Sequence, residues 1–118
     1  MPKSILIVDD SRFARLSLRR IVEQHFPDWY VAEAANGEEA LGILGDISAD
    51  HILLDYNMPG DDGLTVAEKI RARGITAAIT IITANVQDAL SERARQRGLA
   101  FLRKPAKEEQ ILALLNAG

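Results

Sequence analysis

The apolar residues of this chain come in two rhythms. Short unbroken runs rich in β-branched residues, such as Ile5 to Val8 and Ala78 to Thr83, alternate with longer segments in which apolar side chains recur every three or four positions. Runs of the first kind suit strands covered on both faces, and segments of the second suit amphipathic helices. The first run leads directly into Asp9, Asp10 and Ser11, types that open turns and cap helices. Ala14, Leu18, Ile21 and Val22 then fall at helical spacing, with Arg12, Arg15, Arg19 and Arg20 largely off that stripe, until Pro27 and Asp28 end the helix. Trp29 to Ala32 predicts a second, less regular strand, Asn36 and Gly37 a turn, and Glu38 to Leu44 a second helix stopped by Gly45 and Asp46.

His51 to Leu54 predicts the third strand. It ends on Asp55, and Pro59 and Gly60 break regular structure just beyond. Past Gly63, Leu64, Ala67 and Ile70 mark a third helix that closes at Gly74, and Ala78 to Thr83 predicts the fourth strand. From Val86 to Arg97 only Val86, Ala89, Leu90 and Ala94 are available to pack, which predicts a lightly anchored fourth helix. Ala100 to Arg103 is a short fifth strand broken by Lys104 and Pro105. Glu108 to Leu115 forms a last helix with Ile111, Leu114 and Leu115 inward. Five strands alternating with five helices predict an α/β fold, a parallel sheet with helices on both faces and right-handed crossovers.

In such sheets ligands sit outside the carboxyl ends of the strands. Those positions hold Asp9 and Asp10, Asp55, Thr83, and Lys104 with Pro105. Converging carboxylates repel one another unless a cation neutralises them, and hard oxygen ligands of this kind suit Mg²⁺. A hydroxyl and an ammonium beside them complete a cradle for a phosphoryl group, with Asp55 the natural nucleophile, able to form an acyl phosphate. Plainer roles exist for each residue: Asp9 or Asp10 as helix cap, Thr83 as a strand residue, Lys104 as a solvated charge. For the helical arginines the plain role is a solvated face with i,i+4 partners.

With Asp9 and Asp10 ending the first strand, Asp55 followed by Met58-Pro59 and Asp62-Gly63, then Thr83-Ala84 and Lys104-Pro105, the chain resembles a receiver domain of two-component response regulators. It is close in layout to the single-domain chemotaxis receivers, and the match covers essentially the whole chain. The resemblance implies a flavodoxin-like sheet of order 2-1-3-4-5. It implies that Asp55 is phosphorylated by a sensor histidine kinase or a histidine phosphotransfer protein. Asp10, Asp55 and the backbone carbonyl of Asn57 would be direct Mg²⁺ ligands, and Asp9 a ligand through water. Thr83 and Lys104 would bond phosphoryl oxygens, and Phe101 would be the aromatic switch residue that turns inward as Thr83 moves. Output would pass to an unidentified downstream protein through the face of helix four, strand five and helix five. The chain would act as a switch that catalyses only its own phosphorylation and slow self-dephosphorylation. Two departures stand out: Phe101 lacks the hydroxyl of the tyrosine common at that position, and Asn57 and Asn85 occupy the positions that tune phosphoryl lifetime.

Composition narrows the alternatives. The 118 residues suit one receiver domain spanning 1–118, and 47% hydrophobic residues suffice for a real core. A net charge of −3 argues against direct nucleic-acid binding, and the four apolar residues after Ser4 are too few for a membrane span. A cytoplasmic protein is expected. The absence of cysteine excludes thiolate chemistry. The sequence stops shortly after the last predicted helix, so a stand-alone receiver is expected, although a piece of a longer regulator would read the same. Two other functions compete, the first on the same architecture. A flavin-binding electron carrier needs a phosphate loop after strand one, where Asp9 and Asp10 would repel the phosphate. An aspartyl phosphohydrolase needs an acid two residues after its nucleophile, where this chain has Asn57.

Overall fold

The computed structural model describes residues 2–84 and 88–117. Strands and helices alternate along the chain: β1 (Ser4–Val8), α1 (Arg12–His25), β2 (Tyr30–Ala34), α2 (Gly37–Leu44) and β3 (His51–Asp55) are followed by α3 (Gly63–Ala72), β4 (Ala78–Thr83), α4 (Asp88–Gln96), β5 (Ala100–Arg103) and α5 (Glu108–Ala117). All pairings in the sheet are parallel and the order is β2-β1-β3-β4-β5, as the resemblance implies.

The unbroken apolar runs are explained by two cores. Successive side chains of a strand point to opposite faces. On one face Ile5, Ile7, Leu53 and Ile82 pack with Val22 of α1 and with Ile111 and Leu115 of α5. On the other, Leu6, Val8, Ile52, Leu54, Ile79 and Ile81 pack with Ala40 and Leu44 of α2, Leu64 and Ile70 of α3, and Leu90 and Ala94 of α4. Each fully buried Ile or Leu contributes about 2 kcal/mol of transfer free energy. Among the described residues no helix is long and apolar enough to cross a membrane.

Several local expectations need correction. The second strand begins at Tyr30 and runs to Ala34, because the Trp29 ring stacks on Phe26 with centroids 4.3 Å apart and on His51 at 5.7 Å, and the first ladder bond of the strand comes from the Tyr30 N–H to the Lys3 carbonyl. In α4 only Leu90 and Ala94 are buried among the described residues, and Ala89 is exposed, since it lies off their face. Val86 and Asn85 lie outside the described residues. Leu114 is half-buried, like Leu112, so the inward face of α5 is narrower than predicted and rests on Ile111 and Leu115.

Candidate functional site

At the carboxyl edge of the sheet, β1 and β3 lie side by side with Val8 opposite Leu54, so the residues that follow them emerge together. Asp9 is 2% exposed and Asp55 5% exposed, whereas Asp10 is exposed. The three carboxylates offer oxygens that all lie within 4.8 Å of one another. Lys104 reaches over from the end of β5, its Nζ 2.9 Å from Asp9 Oδ2 and 3.2 Å from Asp55 Oδ1. The Lys104–Pro105 peptide bond is cis. Thr83, fully buried at the end of β4, completes the set, with its Oγ1 3.4 Å from Asn57 Nδ2. Asp9, Asp10, Asp55, Thr83 and Lys104 are thus gathered at one edge. Phe101 is half-buried further back on β5, packed against the core shared with α2, α3 and α4.

The helix cap is neither Asp9 nor Asp10. Ser11 caps α1, its side chain accepting from the Ala14 N–H at 3.2 Å, which leaves both acids for the site. Asp9 is held at every polar atom. Its N–H donates to the Ala34 carbonyl at 3.1 Å, Oδ1 accepts from the Ser11 N–H at 2.8 Å, Oδ2 accepts from Lys104, and its carbonyl accepts from Arg15 Nη1 at 2.6 Å.

Burial pushes the Asp55 carboxyl above its ordinary value and the charge of Asp9 adds to this, while Lys104 opposes both. Lys104 feels burial most, which lowers its pKa, but its hydrogen bond to Asp9 and the charge of Asp55 outweigh that and leave it raised and charged. Three carboxylates against one ammonium leave the cluster two formal negative charges in excess. That excess and the all-oxygen donor set fit a hard divalent cation.

Two supports have roles that the sequence did not reveal, Gly63 having entered only as part of the motif and Arg15 only as a solvated charge. A Cβ on Gly63 would lie 2.6 Å from the Asp55 carbonyl oxygen and 2.8 Å from Tyr56 Cα, so only glycine lets the start of α3 sit against the end of β3. The Gly63 N–H donates to the Tyr56 carbonyl there at 2.9 Å. Gly60 takes the left-handed φ of 81° in the turn before it. The second support is Arg15, whose partner Glu33 lies across on β2, at 3.0 Å from Arg15 Nε, rather than at i,i+4. The Pro59-Gly60 break marked the turn; nothing local in the sequence marked Arg15.

An open α/β sheet of this order with an acidic, lysine-braced edge is the arrangement that the receiver resemblance implies. The fold superposes on the chemotaxis protein CheY4 of Vibrio cholerae with a TM-score of 0.89 at 24% identity, covering 99% of this chain and 98% of that one. Residues 5–116 match the family model described as the response regulator receiver domain. The chain belongs to that family. It is 38% identical to the response regulator MprA of Mycolicibacterium vanbaalenii, over 99% of this chain and 50% of that protein. With the positive alginate biosynthesis regulatory protein of Pseudomonas aeruginosa it shares 39% identity, over 95% of this chain and 45% of that protein. The chain thus spans about half the length of these curated relatives. It is a receiver domain of two-component phosphorylation signalling.

Proposed function

We propose that Asp55 accepts a phosphoryl group from a phosphohistidine of a sensor histidine kinase or histidine phosphotransfer protein, with Mg²⁺ held by Asp10, Asp55 and the Asn57 backbone carbonyl and, through water, by Asp9. The observation that carries this reading is the Asp55 carboxylate itself, buried at a strand end, 3.2 Å from Lys104 and within 4.8 Å of two further carboxylates. In the transfer an Asp55 oxygen forms a bond to phosphorus as the bond from phosphorus to the imidazole nitrogen breaks, its electron pair returning to the ring. The product is an acyl phosphate, and attack of water on phosphorus later restores the carboxylate and releases inorganic phosphate. Bound Mg²⁺ would neutralise charge on the phosphoryl oxygens.

Both oxygens of the Asp9 carboxylate already accept bonds from this chain, which supports a ligand role through water. Lys104 orients a phosphoryl oxygen, and the Thr83 hydroxyl exchanges its contact with Asn57 for another. As Thr83 moves, Phe101 turns inward. The new charge-assisted bonds shift the population of the face built by α4, β5 and α5, where α4 rests on Leu90 and Ala94 alone among its described residues. Residues 1–118 act as one cytoplasmic receiver domain that reads out to a downstream protein and makes no direct contact with nucleic acid. It catalyses nothing beyond its own phosphorylation and slow dephosphorylation.

The test is incubation with Mg²⁺ and acetyl phosphate, read by intact mass. One added phosphoryl group is expected, absent in Asp55→Asn and absent when the metal is chelated. A wild-type protein that stays unmodified, or an Asp55→Asn variant modified equally, overturns the assignment.

A further inference from the structure

The arginines of α1 do more than solvate a helix face. Glu33, on the edge strand β2 and paired in register with Ile7, spends its two carboxylate oxygens on two different arginines: Oε1 lies 3.0 Å from Arg15 Nε, and Oε2 lies 2.7 Å from Arg19 Nη1. Arg19 is steadied in turn by Glu23 at 3.1 Å. Arg15, its side chain largely buried, uses its remaining reach to donate from Nη1 to the Asp9 carbonyl at 2.6 Å. A guanidinium can make both bonds at once because its donors stand in a rigid planar fork. The Glu33 carboxyl is held below its usual range, chiefly by the hydrogen bond from Arg19, with burial opposing and Arg15 adding to the depression.

The carbonyl that Arg15 grips belongs to the peptide unit joining Asp9 to Asp10. A peptide unit is planar, so fixing its oxygen fixes the direction in which the Asp10 Cα leaves. The Asp9 side chain has Ser11 and Lys104 to hold it. Asp10 is exposed, and its carboxylate is placed by the backbone that carries it.

We infer that Arg15, held in place by Glu33, is a positioning residue for the metal-binding acids: it sets the plane of the Asp9–Asp10 peptide and so the place of the Asp10 carboxylate. This rests on the reading of the acid cluster as a Mg²⁺ site. A purely electrostatic role would have the opposite sign. Removing a nearby positive charge should tighten cation binding, whereas losing the grip on the peptide should weaken it.

Calorimetric titration of the metal-free protein with Mg²⁺ separates these cases, with Arg15→Met, Glu33→Ala and Glu23→Gln compared with wild type. Supporting groups behind metal ligands are worth about tenfold or more in affinity. Arg15→Met and Glu33→Ala are therefore expected to bind about tenfold more weakly, and Glu23→Gln, which weakens one of the two ion pairs of Arg19 without touching Arg15, as tightly as wild type. In the metal-free protein the Asp10 amide resonance is expected to move in the first two variants and to stay in the third. Unchanged or tighter binding by Arg15→Met, or an Asp10 resonance that does not respond to it, overturns the inference even if the variant melts earlier. A wild-type protein that binds no Mg²⁺ overturns the underlying reading of the site, and the inference with it.

Discussion

His51 and Asp55 open and close the same strand, point to the same face of the sheet, and are each 5% exposed. Burial acts on both against the charged form, yet the two ends of β3 meet it differently. At the amino end the imidazole is stacked on Trp29, nearly parallel at 9°, and its pKa is pushed down, by burial first and then by Lys3, with Asp50 opposing. The charge is shed and the ring behaves as part of the core. At the carboxyl end burial and Asp9 push Asp55 up, but Lys104 counters them, and both Asp9 and Asp10 crowd the same space. Burial alone therefore does not mark a site. An uncompensated set of charges held in place does.

The sharpest break in this contrast is steric. Gly63→Ala drives a methyl group into the backbone of Asp55 and Tyr56, and is expected to cost about 3 kcal/mol in chemical denaturation. A Gly63→Ala variant as stable as wild type would mean that α3 does not brace the acidic end. Next comes Lys104→Met, which strips Asp9 and Asp55 of their ammonium partner. Without metal it is expected to lose about 2 kcal/mol. Added Mg²⁺ should raise its thermal midpoint more than that of wild type, since a ligand that binds only the folded state stabilises it. Equal gains in the two proteins would show that Lys104 and the cation do not share a task.

The smallest effect is in the pH dependence, where the two ends have opposite signs. The folded pKa of His51 lies below its ordinary 6.5, so between the two values the unfolded chain binds the extra proton. Stability on its account is complete above 6.5 and is lost as pH falls through the folded value. The folded pKa of Asp55 lies above its ordinary 3.8, so its contribution is present below that value and is lost as pH rises through the folded one. In chelator, acidification from about pH 7 to about pH 4 should therefore destabilise His51→Leu less steeply than wild type, and Asp55→Asn more steeply. Denaturation midpoints across that range check both, and a shared slope in all three proteins would remove the contrast.

Much of this was legible in the sequence, for identifiable reasons. Runs such as Ile5 to Val8 announce strands because both faces are covered, and Asp9, Asp55, Thr83 and Lys104 stand out because each ends or directly follows a strand-like run. The order of the strands came through family resemblance, since periodicity carries no pairing information. Trp29 reads as a strand residue by propensity, but tertiary stacking on Phe26 and His51 takes it out of the strand. Ala89 reads as a packing residue because alanine is compatible with either face. Arg15 reads as a solvated charge because its partner Glu33 is 18 residues away on another element, a distance at which local spacing rules say nothing. Gly63 stands in the motif, but its packing role hides for a related reason: the backbone it must admit belongs to the preceding strand.

The bond from Lys104 to Asp9 joins residues 95 positions apart, and β3 and β4 lie between the strands they follow. It can form only once the chain has been made through Lys104, and closing so long a loop is slow. The counter-charge of Asp9 and Asp55 is thereby tied to completion of the sheet through β5. A nascent polypeptide that has not yet reached Lys104 lacks the ammonium that Asp9 and Asp55 share, so the charge balance of the acidic edge is settled only when the fifth strand has joined the sheet.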